Sequence, residues 1–375
     1  MEPIRVLHVE ITDQIGGIER YLMNIYQGID RSLVQFDFVT ATEMPAFYDT
    51  LKGMGARIFT VASYTKNPFK YYNELKVVMM QGDYQIVHIH KNSAANILPV
   101  VIAKKLKVKS LIVHSHNTAS TRGSIFNLLH HLNKHRLANN ATALLACSKP
   151  AAEWMYGKGL LKNRQVTLVH NGIDTEQFRF NEATCHIYRS RLDLEGKFVI
   201  GHVGRFTNQK NHTYLLDIFK EVYARNPQAV LLLVGSGELE QQIKEKSNKL
   251  GIKDAVQFLG VRQDIPQLMQ AMDVFLFPSH YEGLGIVLIE AQATGLRCIA
   301  SDAVPSEAKI TELLTLLSLR QPKEEWVNEI LKYSGGYARE DASIQIIEAR
   351  YDCTAAARSL QEYYLAQADV AVQSF

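Results

Sequence analysis

Cysteine is scarce in this chain, and its placement excludes two kinds of scaffold. The 375 residues contain four cysteines, at Cys147, Cys185, Cys298 and Cys353. No two of them have the close spacing of a zinc site or of the disulfide framework of a small secreted domain. This pattern is typical of reduced thiols, and it favours a protein of the cytoplasm.

Long apolar runs are lacking as well. No stretch of the sequence is apolar over a length that would span a membrane. The first five residues lead directly into a strand-like run at 6–9 and do not have the pattern of a signal peptide. No module of interleaved aromatic and basic residues occurs, so nucleic acid is not an expected partner. We therefore expect a cytoplasmic protein, with membrane contact limited to the inner face of the plasma membrane.

The excess of positive charge is confined to the first half of the chain. Residues 1–180 contain 21 Lys/Arg and 13 Asp/Glu, whereas residues 181–375 contain 20 and 25. A basic half favours contact with an anionic surface, and the candidate patches are residues 104–109 and 130–136. The two interpretations are a solvated face and docking on anionic lipid, where each basic residue contributes roughly 1 kcal/mol. The oligomeric state does not follow from the charge.

Short apolar runs alternate with longer mixed segments, which is the pattern of βαβ units. In the first half the predicted strands are 6–11, 36–40, 57–61, 86–90, 110–114, 143–147 and 165–170, and the predicted helices include 19–28, 71–81 and 94–105. In the second half the strands are 198–203, 229–234, 256–259, 274–277 and 297–301, and the helices are 211–223, 238–250, 265–271 and one from 286. Two successive α/β blocks predict two Rossmann-like domains, 1–180 and 181–350, with a polar joint at 174–197. A helical pattern at 351–368 follows.

The most informative stretch is residues 279–295, Ser-His-Tyr-Glu-Gly-Leu-Gly-Ile-Val-Leu-Ile-Glu-Ala-Gln-Ala-Thr-Gly. A buried strand precedes it, and an apolar helix begins within it, so the helix amides face the carboxyl edge of the sheet, where open α/β sheets bind ligands. Free amides at a helix start attract phosphate. The carboxylates of Glu282 and Glu290 can accept hydrogen bonds from sugar hydroxyls. Phosphate and sugar at one place indicate a sugar nucleotide.

This stretch resembles the Glu-x7-Glu signature of the GT-B retaining glycosyltransferases (group 1, family 4), typified by glycogen synthases, mannosyltransferases and sucrose synthases. The resemblance runs from about residue 4 to the final helix. It implies an α/β protein of GT-B fold, in which two Rossmann-like domains face each other across a cleft and the C-terminal helix (351–375) crosses back to the first domain. The first domain would bind the acceptor and the second the donor. No metal or other cofactor is implied, and the sequence has no Asp-x-Asp, the metal-binding signature of the other major glycosyltransferase fold.

A second motif, Gly201-His-Val-Gly-Arg-Phe-Thr-Asn-Gln-Lys-Asn211, places Gly204, Arg205 and Lys210 between a strand and a helix. In the family this cationic pair holds the donor diphosphate. Cations fixed there stabilise the charge that grows on the leaving nucleoside diphosphate. By the same resemblance Glu282 would bind hydroxyls of the donor sugar and Glu290 those of the ribose. The remaining donor-site residues implied are Gly16, Gly17, Gly235, Gly283, Leu284, Gly285 and Ile286.

Two His-x-His pairs end strands of the first half, His88/His90 and His114/His116. Residues two apart lie on one face of a strand. Core packing or hydrogen bonding is the expected role of His88 and His114. A metal site is not expected, because no acidic ligands accompany the histidines. His116 stands where the family has an active-site histidine beside the transferred sugar, and His90 is the second choice.

The chain departs from the common family pattern after Gly295. Many members have Gly-Gly followed by Pro-Glu, whereas this chain has Leu296-Arg-Cys-Ile-Ala-Ser-Asp302, and Glu307 is the candidate for the usual glutamate. The variant resembles the branch that makes bacterial exopolysaccharide and capsular polysaccharide. That branch implies a UDP-sugar donor and a glycan acceptor, carried on a polyprenyl diphosphate at the membrane.

Three other interpretations compete with a glycosyltransferase. A non-hydrolysing sugar-nucleotide epimerase has the same fold, but it would need no acceptor. A catalytically inactive partner subunit would have no need of the Arg205, Lys210 and Glu282 set. An NAD-dependent dehydrogenase is the weakest alternative, because the Gly-x-Gly-x-x-Gly fingerprint is absent.

Overall fold

The computed structural model describes residues 2–118, 123–161, 166–170 and 172–372, with side chains except at 160, 161 and 369–372. Its contacts divide the chain into two compact units. The first comprises Met1–Gly172 and Arg350–Phe375, and the second comprises Ile173–Ala349. Among the described residues, a helix that could cross a membrane is not found.

A seven-stranded sheet forms the centre of the first unit, and all its strand pairs are parallel. The strands are β1 (Ile4–Ile11), β2 (Val34–Thr40), β3 (Arg57–Thr60), β4 (Ile86–Lys91), β5 (Ser110–Ser115), β6 (Ala143–Ala146) and β7 (Thr167–Leu168). The helices before residue 172 are α1 (Gly17–Gly28), α2 (Tyr48–Gly53), α3 (Pro68–Gln81), α4 (Leu98–Lys105), α5 (Ser124–Asn140), α6 (Lys149–Tyr156) and α7 (Lys158–Leu161). β4 and β5 are buried at every position, as expected for central parallel strands.

The second unit is built in the same way around a six-stranded parallel sheet. Its strands are β8 (Phe198–Val203), β9 (Ala229–Val234), β10 (Val256–Gly260), β11 (Val274–Phe277), β12 (Arg297–Ser301) and β13 (Leu314–Leu317). Its helices are α8 (Thr175–Phe178), α9 (Glu182–Arg191), α10 (His212–Arg225), α11 (Glu240–Lys249), α12 (Ile265–Gln270), α13 (Ile286–Ala293), α14 (Lys323–Leu331) and α15 (Ser343–Glu348). Short 3-10 helices occur at Asn208–Lys210, Lys253–Ala255 and Ser306–Ala308.

The last helix, α16 (Cys353–Val372), packs on α1 and belongs to the first unit. Ala357, Leu360 and Tyr364 are part of its hydrophobic core. The two helices approach closely at Gly28, where a Cβ atom would lie 2.8 Å from the Cβ of Ala357. The return of the C-terminal helix to the first unit, which the family resemblance implied, is thereby confirmed.

Strand order fixes where each sheet can bind a ligand. The orders are β3-β2-β1-β4-β5-β6-β7 and β10-β9-β8-β11-β12-β13, so the direction of winding reverses between β1 and β4 and between β8 and β11. Doubly wound sheets bind ligands at the carboxyl ends of the strands at such a switch point. The loops after β8 and β11 contain the two motifs singled out in the sequence.

The predicted Rossmann-like architecture is confirmed, and several segments differ in detail. The strand predicted at 165–170 is shorter, at Thr167–Leu168, and Gln165 lies outside the described residues. The contact division falls between Gly172 and Ile173, because the segment that follows packs on the second unit. There the Gln270 side chain accepts a hydrogen bond from the Asn181 amide at 3.0 Å and donates to the Arg179 carbonyl oxygen at 3.2 Å.

Candidate functional site

The loops after β8 and β11 are tied together at the switch point of the second unit. Asn211, in the left-handed region at φ +54°, accepts a hydrogen bond from the Tyr214 amide and so caps α10. Its side-chain amide donates to the Pro278 carbonyl oxygen at 3.1 Å. The His280 amide donates to the Gln209 carbonyl oxygen at 2.8 Å. These bonds fix the positions of the side chains that the two loops present.

Lys210 and Glu282 form an ion pair at this place. The Lys210 Nζ lies 2.8 Å from Glu282 Oε1, and the two side chains are 17% and 7% exposed. The Gln209 amide donates to the other carboxylate oxygen at 3.3 Å. The ammonium of Lys210 also lies 4.4 Å from the centre of the Phe277 ring, a cation–π contact that fixes the side chain further. The exposed Arg205 side chain projects from the same loop.

The second part of this site is the start of α13. Gly285 precedes the helix at φ +83°, a conformation that glycine adopts without strain. The Leu288 amide of the first turn donates to the Gly285 carbonyl oxygen at 2.8 Å. The amides of Ile286 and Val287 come before any acceptor that the helix could offer, and the positive end of the helix dipole lies there. Glu290 is buried on the helix one turn further on. Gly283, Leu284 and Ile286 therefore lie at a position suited to an anion, and Glu282 and Glu290 precede and follow them in the sequence.

Gly204 and Gly235 contribute close packing. Their amides donate to the carbonyl oxygens of Val234 and Gly260, at 2.9 and 2.8 Å, and so are engaged within the protein. A Cβ atom on Gly235 would lie 2.2 Å from the Gly204 carbonyl oxygen, and the residue has φ +135°. Only glycine lets the loops after β8 and β9 approach in this way. Both glycines thus shape the loop from which Arg205 projects.

The segment after Gly295, where the sequence departs from the common pattern, is anchored to α13. The buried Gln292 side chain accepts hydrogen bonds from the amides of Ile310 and Thr311, at 3.2 and 3.0 Å, and donates to the Ala308 carbonyl oxygen at 2.8 Å. Glu307 lies in the 3-10 helix just before this anchor. Its role as the family glutamate stays a prediction.

In the first unit, the loop between β1 and α1 is held by a carboxylate. Glu19 accepts hydrogen bonds from the Thr12 amide, the Thr12 hydroxyl and the Gly16 amide, at 3.0, 2.8 and 3.1 Å. The Gly16 amide is therefore engaged in shaping the loop, while Gly17 is exposed and begins α1. The sequence Gly16-Gly17-Ile18-Glu19 thus has a local structural cause in addition to any contact with a ligand.

Five histidines form one buried cluster on the face of the central strands. His8 pairs with His88 across β1 and β4, and His90 pairs with His114 across β4 and β5. His116 follows β5 and is half-buried. Ring nitrogens of His8 and His90, and of His90 and His116, lie 2.9 Å apart. His88 instead hydrogen-bonds the Tyr364 hydroxyl at 2.6 Å.

These histidines are electrically neutral. Burial lowers the pKa of His8 and of His116 to about 3. Burial, followed by repulsion from neighbouring imidazoles, holds the pKa of His88, His90 and His114 well below the ordinary value. Desolvation disfavours the charged imidazolium, and no carboxylate is in position to offset it in these rings.

Two overlapping triads of this cluster bring ring nitrogens within 4.8 Å of one another, His8/His88/His90 and His90/His114/His116. Neutral imidazoles are ligands for zinc and similar ions. In each triad, however, a nitrogen pair already forms a hydrogen bond, and no acidic ligand belongs to either group. The contacts describe a chain of hydrogen bonds, and the metal-free site of the sequence analysis stays a prediction.

Sequence reasoning missed several polar residues that the fold brings to the same strand ends. Glu10, at φ +76° in β1, pairs with the buried Lys91 at 2.7 Å and accepts hydrogen bonds from Asn96 and Tyr71. A non-glycine residue in this backbone region is strained, which marks candidate functional positions. The only sequence signal is that Glu10 and Lys91 end the two strands on either side of the switch point.

Comparison with known proteins identifies the family. Residues 187–325 match the model described as glycosyl transferases group 1, and residues 15–177 match glycosyltransferase family 4. The chain is 34% identical over 359 residues to a putative glycosyltransferase, EpsF, of Bacillus subtilis strain 168, with 93% of each chain covered. This chain therefore belongs to the group 1, family 4 glycosyltransferases, and it is a transferase.

Two further similarities are more distant. An Escherichia coli protein named UDP-Gal:alpha-D-GlcNAc-diphosphoundecaprenol alpha-1,3-galactosyltransferase is 28% identical over 311 residues, covering 80% of this chain and 79% of that one. The structure of Anabaena Alr3699/HepE in complex with UDP-glucose superposes with a TM-score of 0.78 at 20% identity, covering 97% of this chain and 100% of the other. That likeness supports the GT-B fold.

Proposed function

We propose that this glycosyltransferase moves a sugar from a UDP-sugar to a glycan or lipid-linked glycan, with retention of anomeric configuration, in the biosynthesis of a cell-surface polysaccharide. The observation that carries the proposal is the Lys210–Glu282 pair beside the start of α13. A cation and free helix amides suit a diphosphate, and the two carboxylates suit the hydroxyls of a sugar and a ribose. The names of the E. coli relative and of the Anabaena complex support uracil as the base of the donor and a diphosphate lipid as the carrier of the acceptor.

In the proposed reaction the acceptor hydroxyl oxygen bonds to the anomeric carbon. The bond from that carbon to the diphosphate oxygen breaks, and its electron pair leaves with the nucleoside diphosphate. The hydroxyl proton is released with the products. Lys210, Arg205 and the amides of α13 bind the negative charge that grows on the diphosphate, which lowers the barrier because this charge is larger in the transition state than in the ground state. His116 is the residue of the first unit that we propose takes part in the reaction, and the proposed reaction needs no metal.

Donor binding can be tested by thermal shift with UDP, GDP, ADP and their sugars, each with and without EDTA. A ligand that binds only the folded state at 100 times its Kd stabilises by about 2.7 kcal/mol. We expect a higher melting temperature with UDP and a UDP-sugar, unchanged by EDTA. The Lys210→Met variant should reduce the shift with UDP more than the shift with the UDP-sugar, because free UDP already carries the diphosphate charge that Lys210 is proposed to bind.

The other outcomes discriminate the alternatives. If only GDP or ADP raises the melting temperature, the base of the donor is guanine or adenine and not uracil. If EDTA abolishes the shift, metal-free binding is contradicted. No shift with any nucleotide would favour the inactive-subunit interpretation. Conversion of the UDP-sugar to its epimer without an acceptor and without net release of UDP would indicate an epimerase, whereas release of UDP only with an acceptor present would indicate a transferase. The anomeric proton of an isolated product tests retention by NMR.

We also propose that the first unit contacts the anionic membrane surface through α5. Its exposed side includes Ile125, Leu128 and Leu132, which are 73%, 59% and 67% exposed and recur at helical spacing. The 17 residues of α5 contain no Asp or Glu, and Lys134 and Arg136 follow the apolar side chains. An exposed apolar ridge beside basic residues is typical of helices that lie in a membrane interface. The basic stretch at 104–109 adds to this charge.

Sedimentation with vesicles tests this contact. The protein should sediment with vesicles of anionic lipid at low salt, less so at high salt, and not with neutral vesicles, because the attraction is screened. Replacing Ile125, Leu128 and Leu132 together with serine should abolish sedimentation. A matched control replaces Ile344 and Ile347, which are exposed on α15 of the second unit. Equal loss in both variants, or no sedimentation of the unaltered protein, would contradict the proposal.

A further inference from the structure

Three imidazoles of the first unit are joined end to end. His8 Nδ1 lies 2.9 Å from His90 Nε2, and His90 Nδ1 lies 2.9 Å from His116 Nε2. The three residues come from β1, from β4 and from the position just after β5. His90 uses both ring nitrogens in the chain. Each end keeps one nitrogen outside it, His8 Nε2 and His116 Nδ1, and neither has a hydrogen-bond partner among the described residues.

The number of hydrogen atoms restricts this chain of three hydrogen-bonded imidazoles to two states. A neutral imidazole carries hydrogen on one nitrogen only, so it donates one hydrogen bond and accepts one. Both bonds must therefore run in the same direction. In one state each of the three rings has its hydrogen on Nδ1, and His116 presents an N–H. In the other each has its hydrogen on Nε2, and His116 presents a bare nitrogen.

The surroundings of the two ends favour the first state. His8 is fully buried against Phe36 and Phe38, with ring centres 4.1 and 5.5 Å away. A hydrogen on its Nε2 would be an N–H buried without an acceptor, which is costly. The outer nitrogen of His116 is buried as well, but the His116 side chain as a whole is only half-buried and lies at the carboxyl edge of the sheet, where a ligand oxygen can become its acceptor, whereas His8 is 0% exposed. The hydrogen is better placed at that end.

We infer that His90 and His8 are positioning residues, which hold the His116 ring with Nε2 inward and its hydrogen on Nδ1, so that His116 acts as a hydrogen-bond donor to an oxygen of the substrate. The contribution to turnover rests on the proposed function, since it assumes that His116 faces the transferred sugar. The tautomer itself does not depend on that assumption. A hydrogen bond to the inner nitrogen of a histidine commonly fixes its tautomer where the orientation of the ring matters.

The tautomer can be measured without an assay. In protein labelled with 15N histidine, long-range proton–nitrogen correlation distinguishes a ring nitrogen that carries hydrogen from one that does not. The signals are assigned by His116→Gln, His90→Gln and His8→Gln. We expect hydrogen on Nδ1 in all three rings. Hydrogen on Nε2 of His116, or different tautomers in His90 and His116, would overturn the inference.

The kinetic arm uses a control on the same strand. His88 is as buried as His90 and lies two residues before it. It forms a hydrogen bond with Tyr364 and does not belong to the chain of three hydrogen-bonded imidazoles. We expect His90→Phe to lower kcat by about 10- to 100-fold, with little change in the donor KM, and to leave His116 in a mixture of tautomers. His88→Phe should leave kcat and the tautomer unchanged, whatever its effect on melting temperature. His90→Gln, whose amide can both donate and accept, should recover part of the loss.

These outcomes separate the two proposals. Equal loss of kcat in the His88 and His90 variants would mean a structural role only and would overturn the positioning of His116. Unchanged turnover in His116→Gln would remove that residue from the proposed function. The tautomer measurement would still decide which ring nitrogens of the three histidines carry hydrogen. If His90→Phe does not fold, the unaltered protein's tautomers remain the deciding observation.

Discussion

Lys210→Met is expected to lower kcat/KM by about 10²- to 10³-fold, the loss seen when one preorganised group that binds transition-state charge is removed. Methionine keeps the apolar stem against Phe277 and deletes only the ammonium. The fall should appear mainly in kcat, because the charge on the diphosphate grows as the glycosidic bond breaks. Steady-state kinetics with the donor identified by thermal shift would measure it.

The same substitution should also destabilise the second unit. Glu282 is 7% exposed, and the substitution removes a cation that lies 2.8 Å from its carboxylate, while the hydrogen bond from the Gln209 amide stays. Removing one member of a buried ion pair costs about 3–5 kcal/mol, whereas replacing both members costs much less. Lys210→Met combined with Glu282→Gln should therefore be more stable than Lys210→Met alone, and equally inactive. Chemical denaturation of the two single variants and the double variant measures this coupling.

The Lys246–Asp217 pair provides the control. It lies in the same unit, its charged atoms are 2.7 Å apart, and it joins α11 to α10 away from the donor motifs. Lys246→Met should leave kcat unchanged. A similar fall in kcat for both lysine variants would contradict the diphosphate assignment and indicate a general effect of lost charge or stability.

Sequence alone located each half of this pair but not the pairing. Lys210 and Glu282 are 72 residues apart in the chain, and they meet because β8 and β11 are neighbours at the switch point. Motif and strand pattern predicted that both loops lie at a sheet edge. The 2.8 Å contact depends on strand order and on the loop bonds of Asn211 and His280, which no local pattern shows.

The histidine chain illustrates the same limit. The two His-x-His pairs were evident, because residues two apart share a strand face. His8 was not connected with them, since it lies 82 residues from His90. Only the central position of β1 beside β4 brings it into register with His88.

Most strands were predicted because buried parallel strands are continuously apolar, whereas several helices, among them α5, α9, α14 and α15, were given no predicted range. In α5 the buried positions are His130, Leu137 and Ala138, and several of its large apolar residues point to solvent, so the pattern contradicts a helix packed on a core. In α9 no residue is buried, and the segment was predicted as a polar joint. Both helices depart from the amphipathic rule that sequence prediction uses.

The first unit is expected to unfold in mild acid, before the second. His8, His88, His90 and His114 are fully buried, and their pKa values lie far below 6.5, with His8 at about 3. In the unfolded chain each would titrate near 6.5. Between pH 6.5 and about 3 the unfolded state therefore binds more protons, and stability falls as the pH falls. The stability contributed by neutral burial is fully present above pH 6.5.

The expected loss is a large share of the total stability. Linkage gives roughly 2 kcal/mol at pH 5 for His8, whose pKa is about 3, and a loss of the same sign for each of His88, His90 and His114, whose pKa burial lowers. A domain is stable by about 5–15 kcal/mol in all. The second unit has two comparable residues, His202 and His212, whose pKa values are lowered by burial to about 3 and about 2. Its loss at the same pH should be smaller.

The two tryptophans allow each unit to be followed separately. Trp154 lies in the first unit and Trp326 in the core of the second. Fluorescence of the Trp154→Phe and Trp326→Phe variants, titrated from pH 7.5 to 4, should show the Trp154 transition at the higher pH. Neither ring nitrogen of His114 has a hydrogen-bond partner among the described residues. His114→Leu should therefore move that transition to lower pH, whereas replacement of the exposed His135 should not.

A first transition reported by Trp326, or no change in the Trp154 signal above pH 4, would contradict the neutral burial of the cluster. It would mean that the folded unit takes up protons in this range, since only a state with more bound protons gains stability as the pH falls. The hydrogen count that gives His116 its single N–H would then no longer hold, because a protonated imidazole donates from both nitrogens. The acid titration and the tautomer measurement thus test the same property of the cluster by independent means.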